Sequence, residues 1–131
     1  MATIFTKIIN GEIPCYKIAE DQNFIAFLDI NPWQKGHTLV VPKQEVDYIF
    51  NNSDEILSGI LVFAKKVASA IEKSVDCSRI SLMVLGMEVP HTHIHLIPIK
   101  SESDILSFGK EKLKLSNEEF SELAEKIRSN F

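Results

Sequence analysis

Hydrophobic and polar positions change their period several times along the chain, and each change marks an element. Ile4 to Ile9 reads as a short helix, closed by Asn10-Gly11. Tyr16 to Glu20 reads as a strand, and Asp21-Gln22-Asn23 turns it into a second strand, Phe24 to Ile30, so the two form a hairpin. Asn31-Pro32 breaks the second strand. "HTLVV", His37 to Val41, is a third strand that stops at Pro42. Asn52-Ser53-Asp54-Glu55 caps a helix start, with acids in its first turn. Ile56, Leu57, Ile60, Leu61, Ala64, Val67, Ala68 and Ile71 then recur at spacings of three and four, which predicts one long amphipathic helix to about Lys73. Arg79 to Leu85 and His91 to Ile97 are the fourth and fifth strands. Ser116-Asn117-Glu118-Glu119 is a capping box that opens a last helix, running to about Ser129. Residues 101–115 keep no clear period and read as loop with helical turns. The strands join through short turns, not crossover helices. The expected class is α+β: a five-stranded antiparallel sheet, one long central helix on one face, and short N- and C-terminal helices.

Composition narrows the possibilities. The 131 residues amount to one domain, spanning 1–131, and 45% hydrophobic with 24% charged residues is a globular balance. A net charge of −4 argues against a broad basic surface for nucleic acid. No apolar run approaches the roughly 20 residues that span a bilayer, so no membrane partner is expected. The N-terminal stretch MATIFTKIINGEIP lacks the apolar core of a signal peptide. Cys15 and Cys77 form no CxxC and read as reduced thiols of a cytoplasmic protein.

The chemistry concentrates in "VPHTHIHLIPI", Val89 to Ile99, which carries three of the four histidines at a spacing of two. A strand has a side-chain period of two, so His91, His93 and His95 share one face, while Thr92, Ile94 and Leu96 take the other and anchor the strand. Three readings compete. The first is a polar strand face with no chemistry. The second is a metal site, since HxH on a strand suits a tetrahedral ion. The cupin pattern, however, places a Glu shortly after its HxH, where Ile94 to Pro98 stand here. The third is nucleophilic catalysis at phosphorus. Imidazole is a competent nucleophile near neutral pH, and neighbouring imidazoles can hold phosphate oxygens.

His91-Thr92-His93-Ile94-His95-Leu96-Ile97 resembles H-φ-H-φ-H-φ-φ, the signature of the histidine triad (HIT) family of nucleotide hydrolases and transferases, with Thr92 a mild departure. "IFTKIINGEIP" at 4–14, "FIAFLDINP" at 24–32 and "GHTLVVPK" at 36–43 resemble further family segments in family order. The match covers about residues 4–99, leaving 100–131 as a C-terminal extension with a helix. The resemblance implies roles for these positions. His93 would be the nucleophile that attacks an α-phosphorus and forms a nucleotidyl-histidine. His95 would contact phosphate, His91 would orient the site, and His37 would be a fourth active-site histidine. Phe5, Ile13, Phe27 and Asp29 would build the nucleoside pocket, with Asp29 on the ribose. Glu88 and Val89 would face the substrate just before the triad. The family implies a homodimer, no cofactor, and a purine nucleotide or nucleotide conjugate as substrate. The expected reaction is hydrolysis of a phosphoramidate-type nucleotide. Hydrolysis of a dinucleoside polyphosphate, or nucleotide binding with weak turnover, are the alternatives.

The sequence also departs from the family. Many bacterial relatives bind zinc through an N-terminal CxxC; here Thr3 and Thr6 occupy the corresponding places, and no metal is expected. In the loop "VLGMEVPH", Met87 stands where the family has Gln and Glu88 where it has Ser or Thr, while Met83 replaces an Asn of the preceding strand. Glu88 has three readings: a solvated turn residue, an acid toward the leaving group, or a partner of His91.

Overall fold

A computed structural model describes residues 2–108 and 112–131 of the chain. Helix α1 (Ile4–Ile9) is capped by the Thr3 side chain. Strands β1 (Lys17–Glu20) and β2 (Phe24–Leu28) form the hairpin, and β3 (Thr38–Pro42) adds to it. Helix α2 (Asp54–Glu72) follows, capped by Ser53. Then come β4 (Arg79–Met83), β5 (Ile94–Ile99) and α3 (Asn117–Ser129), the last opened by the Ser116/Glu119 capping box. The five strands make one antiparallel sheet in the order β1-β2-β3-β5-β4.

The sheet is covered on both faces, which explains why every residue of β2, β3 and β5 is buried. One face carries Phe24, Ala26, Leu28, Val40, Ile94 and Leu96. Against them pack Ile60, Phe63, Ala64 and Val67 of α2, together with Phe120, Leu123 and Ile127 of α3. The alternate residues Ile25, Phe27, Leu39 and Val41 point the other way and pack on Phe5 of α1. His37, His93 and His95 continue this second set, so the histidine face lies on the side of the sheet away from α2.

Strands β1 and β3 each start one residue later than expected, and three other strand ends fall short by two residues or more. The fifth strand pairs only from Ile94 and runs on to Ile99, not from His91 to Ile97. The cause is local: the Thr92 N–H donates to Val46 O at 2.7 Å, and its hydroxyl also donates to Val46 O. The loop before α2 thus pulls residues 91–93 out of the ladder. Thr92 is therefore anchored by hydrogen bonds, including one from the Asn52 side chain at 2.9 Å, and not by apolar packing. With that stretch withdrawn, Val84 and Leu85 have no strand to pair with, and β4 ends at Met83. β2 ends at Leu28 because the Asp29 carboxylate caps the Asn31 N–H at 2.8 Å. In the illegible 101–115 stretch, Glu102–Ser107 forms a 3₁₀ helix opened by a Ser101/Asp104 capping box; residues 109–111 lie outside the described residues.

Gly36 shows how close the packing is at the entry to β3. Its φ is +95°, and a Cβ there would sit 3.2 Å from Pro98 Cγ. Only glycine lets the backbone deliver His37 against β5 at this point.

Candidate active site

Backbone groups dictate the protonation pattern of the four histidines. His93 Nδ1 lies 2.7 Å from the carbonyl oxygen of His91. A carbonyl only accepts, so Nδ1 carries the proton and Nε2 holds a free lone pair. On His37, Nδ1 accepts the Trp33 N–H at 3.1 Å, so the proton sits on Nε2. That Nε2–H donates to His95 Nδ1 at 2.9 Å, which leaves the His95 proton on Nε2. His91 Nε2 donates to Pro42 O at 2.8 Å, and its Nδ1 accepts from the Thr3 hydroxyl at 2.8 Å. The pattern presents two different Nε2 atoms side by side: a lone pair on His93 and an N–H on His95. Their rings are 5.1 Å apart. Neither Nε2 has a hydrogen-bond partner among the described residues, and neither is sealed from solvent.

Electrostatics keeps this arrangement neutral. Burial pushes His37 down to about 4, against the opposing pull of the Asp29 carboxylate. Burial, reinforced by His93, pushes His95 down to about 4 as well. Lys112 adds to both shifts, so its ammonium lies near the site. Burial also lowers His91, with the Pro42 carbonyl and Glu45 pulling the other way. Neutral imidazoles are what directional N–H and lone-pair assignments require.

Phe5 lies edge-on to both His91 and His93, with ring centroids 5.8 and 5.0 Å away, and 5.8 Å from Phe27. Phe5 and Phe27 are both buried, and Val89 packs against their cluster half-buried. Ile13 lines a shallow 250 Å³ depression beside α1, with Ile8, Ile9 and Ile25. Asp29 spends one oxygen on the Asn31 amide and holds the other 3.5 Å from His37 Nε2. Glu88 is exposed and makes no hydrogen bond or ion pair among the described residues. It does not pair with His91, because both nitrogens of that ring are taken by Thr3 and Pro42.

Sequence reasoning missed three contributors. Trp33, the chain's one tryptophan, stacks on His37 at 5.2 Å and lies 5.6 Å from His95. Phe108 stacks on Trp33 in turn, and Lys112 sits 5.0 Å from its ring centre. The extension beyond β5 therefore reaches the site, held by the Leu113 N–H on Pro32 O at 2.8 Å. Glu45 is the third, tied to α1 through Thr3 and Thr6.

Asp29, His37 and His95 bring their ligand atoms within 4.8 Å of one another, a spacing a metal ion accepts. The proton pattern opposes that use. A metal needs the lone pair of His37 Nε2, which carries a proton because Trp33 occupies Nδ1. Binding an ion would reverse the ring's tautomer and leave the Trp33 amide without its acceptor.

A sheet of this topology, with three histidines ordered by backbone hydrogen bonds and a fourth wired to them, defines a histidine triad protein. The HIT domain model matches residues 10–102. The chain is 39% identical to the adenosine 5′-monophosphoramidase hnt1 of Schizosaccharomyces pombe over 130 residues, covering 98% of each. It is 38% identical to an uncharacterized HIT-like protein of Borreliella burgdorferi, covering 97% of this chain and 96% of that one. The crystal structure of a Hit-like protein from Bartonella henselae superposes with a TM-score of 0.84 at 33% identity, covering 98% of this chain and 96% of the other. The chain belongs to the histidine triad family.

Proposed function

We propose that the protein hydrolyses nucleoside 5′-phosphoramidates, or closely related 5′-phosphoryl conjugates, at the α-phosphorus. The observation that carries this reading is the pairing of an Nε2 lone pair on His93 with an Nε2–H on His95. In the first step His93 Nε2 attacks phosphorus, the bond to the leaving nitrogen breaks, and that nitrogen takes a proton from solvent. The His95 N–H donates to a phosphate oxygen as charge builds there. In the second step water attacks the nucleotidyl-histidine, the P–N bond to His93 breaks, and a nucleoside monophosphate leaves. Phe5, Phe27 and Ile13 supply apolar contact for the base, and the Asp29 carboxylate accepts from ribose hydroxyls. Glu88 and Val89 stand at the mouth of the site, where a leaving group would pass. The name of the fission-yeast relative, at 39% identity, supports the phosphoramidate class.

The working unit is a homodimer. β4 ends the sheet with one edge unpaired. Beside it α2 exposes Leu61 (56%) and Val62 (57%), and β4 exposes Leu82 (49%). A second copy can extend the sheet and cover these residues at once.

A panel of adenosine phosphoramidate, AMP conjugates of larger amines, adenylyl sulfate and diadenosine polyphosphates tests the substrate class. Turnover led by the phosphoramidates supports the proposal. Preference for diadenosine polyphosphates replaces it with the dinucleotide reading, and tight AMP binding without turnover reduces it to a binding module. Activity should persist after dialysis against a strong chelator, since no step uses a metal.

A further inference from the structure

The triad's first histidine is connected to the start of the chain by a hydrogen-bond circuit that no catalytic step accounts for. Glu45, in the loop after β3, accepts from the Thr3 N–H at 3.1 Å and from the Thr6 hydroxyl. A carboxylate only accepts, so the single hydroxyl proton of Thr6 points at Glu45. The Thr3 oxygen accepts the Thr6 N–H at 3.1 Å, and its own proton has two acceptors in reach, the Thr6 oxygen at 3.3 Å and His91 Nδ1 at 2.8 Å, of which His91 is the nearer. His91 Nε2 donates to Pro42 O, and the His91 carbonyl accepts from His93 Nδ1. Each proton in this circuit has a fixed place: the Thr6 hydroxyl and the Thr3 amide donate to Glu45, the Thr3 hydroxyl donates to His91 Nδ1, and His93 Nδ1 donates to the His91 carbonyl, which leaves the His93 Nε2 lone pair free.

We infer that Thr3 and Glu45 are positioning residues for the reaction. Glu45 orients the Thr6 hydroxyl, which leaves the Thr3 proton to hold His91 as the neutral Nε2–H tautomer, and His91 in turn holds the nucleophile. The inference rests on the proposed hydrolysis at His93. The circuit also ties β3 to α1, whose Phe5 packs edge-on to both His91 and His93. The titratable neighbours acting on His91 are Glu45, which favours its charged form, and His93, which opposes it. The Thr6 and Thr3 hydrogen bonds keep Glu45 ionised below the usual carboxylate range, so the circuit keeps this arrangement at neutral pH.

Thr3 is also the N-cap of α1, and a loss of activity in Thr3→Val would confuse cap and circuit. Thr3→Asp separates them: its carboxylate caps the helix but has no proton to give His91 Nδ1. Glu45→Ala removes the orienting anion at an exposed position where little stability is at stake. Two readouts decide: kcat and KM on adenosine phosphoramidate, and the His91 imidazole titration and tautomer by ¹⁵N NMR. In Thr3→Asp the His91 midpoint should rise and kcat should fall about tenfold with KM within twofold. In Glu45→Ala kcat should fall three- to tenfold, and the His91 resonances should leave the single-tautomer pattern. Thr3→Ser, which keeps cap and proton, should stay within threefold of wild type. A His91 titration unmoved in both variants, or an unchanged kcat, overturns the inference; if Thr3→Asp does not fold, Glu45→Ala decides alone. If the wild type turns over no phosphoramidate, the proposed function fails, and the NMR titration still judges the circuit.

Discussion

His93 offers a lone pair because its other nitrogen is committed to a backbone carbonyl two residues back. Its role at this scale is replaceable by nothing nearby: the His37 and His95 Nε2 atoms carry protons, and both nitrogens of His91 are bonded. His93→Ala should therefore remove nearly all turnover while nucleotide still binds. A thousandfold loss in kcat corresponds to about 4 kcal/mol of transition-state stabilisation. Steady-state kinetics with equilibrium binding of AMP checks this, and wild-type-like turnover would exclude His93 as nucleophile. The period of two pointed to a shared face, but only His95 lies within β5, and contacts with Phe5 hold His91 and His93 on that side. The period did not reveal which nitrogen of each ring is free, because that depends on carbonyls and amides at Pro42, Trp33 and His91 that approach only in the folded chain. Glu88 illustrates a partial case: of the roles its place next to the triad suggested, the pairing with His91 is excluded because Thr3 and Pro42 take both nitrogens of that ring, and the side chain stays exposed.

At the scale of elements, α1 shows how a marginal piece becomes catalytic scaffolding. Six residues are too few to hold a helix alone in water. The Thr3 cap and the burial of Phe5 against Phe27, Ile25 and Leu39 hold it in place. Phe5→Ala should cost 3–5 kcal/mol in urea unfolding, the range for deleting a buried aromatic ring. Because Phe5 also packs on His91 and His93, kcat should fall with stability. Loss of stability with unchanged kcat would mean that α1 supports the fold alone. The helices and the hairpin were legible from period and caps. The ends of the second, fourth and fifth strands were not: an Asx cap and the Val46–Thr92 bond decide them, and a window of sequence contains only one partner of the latter.

For the whole molecule, burial of neutral histidines makes stability depend on pH. His37 and His95 are held near 4 in the fold, below the roughly 6.5 of an unfolded chain. Between those values the unfolded chain binds more protons, so stability should fall as pH drops from about 6.5 toward 4 and level off below. Melting temperatures across pH 4–7.5 test this, and substituting His37 and His95 by Gln should flatten the slope in that window. A native slope unchanged in the double variant would show that other groups cause it. The proposed dimer belongs to this scale too. Light scattering at micromolar concentration should give twice the 14.8 kDa chain mass, and Leu61→Glu with Leu82→Lys should bring it to one. A wild-type mass of a single chain would contradict the dimer.

Periodicity and capping residues by themselves determined the order and type of the main elements. Those are local properties: a strand alternates and a helix repeats whatever lies around it. The order β1-β2-β3-β5-β4, the site's position away from α2, and the contributions of Trp33, Glu45 and Lys112 were decided only by tertiary structure. Each depends on residues tens of positions apart, such as Thr3 with His91 or Trp33 with Phe108, meeting through packing that no local pattern encodes. The protonation of the histidines belongs with them, since desolvation and backbone partners are created by the fold itself.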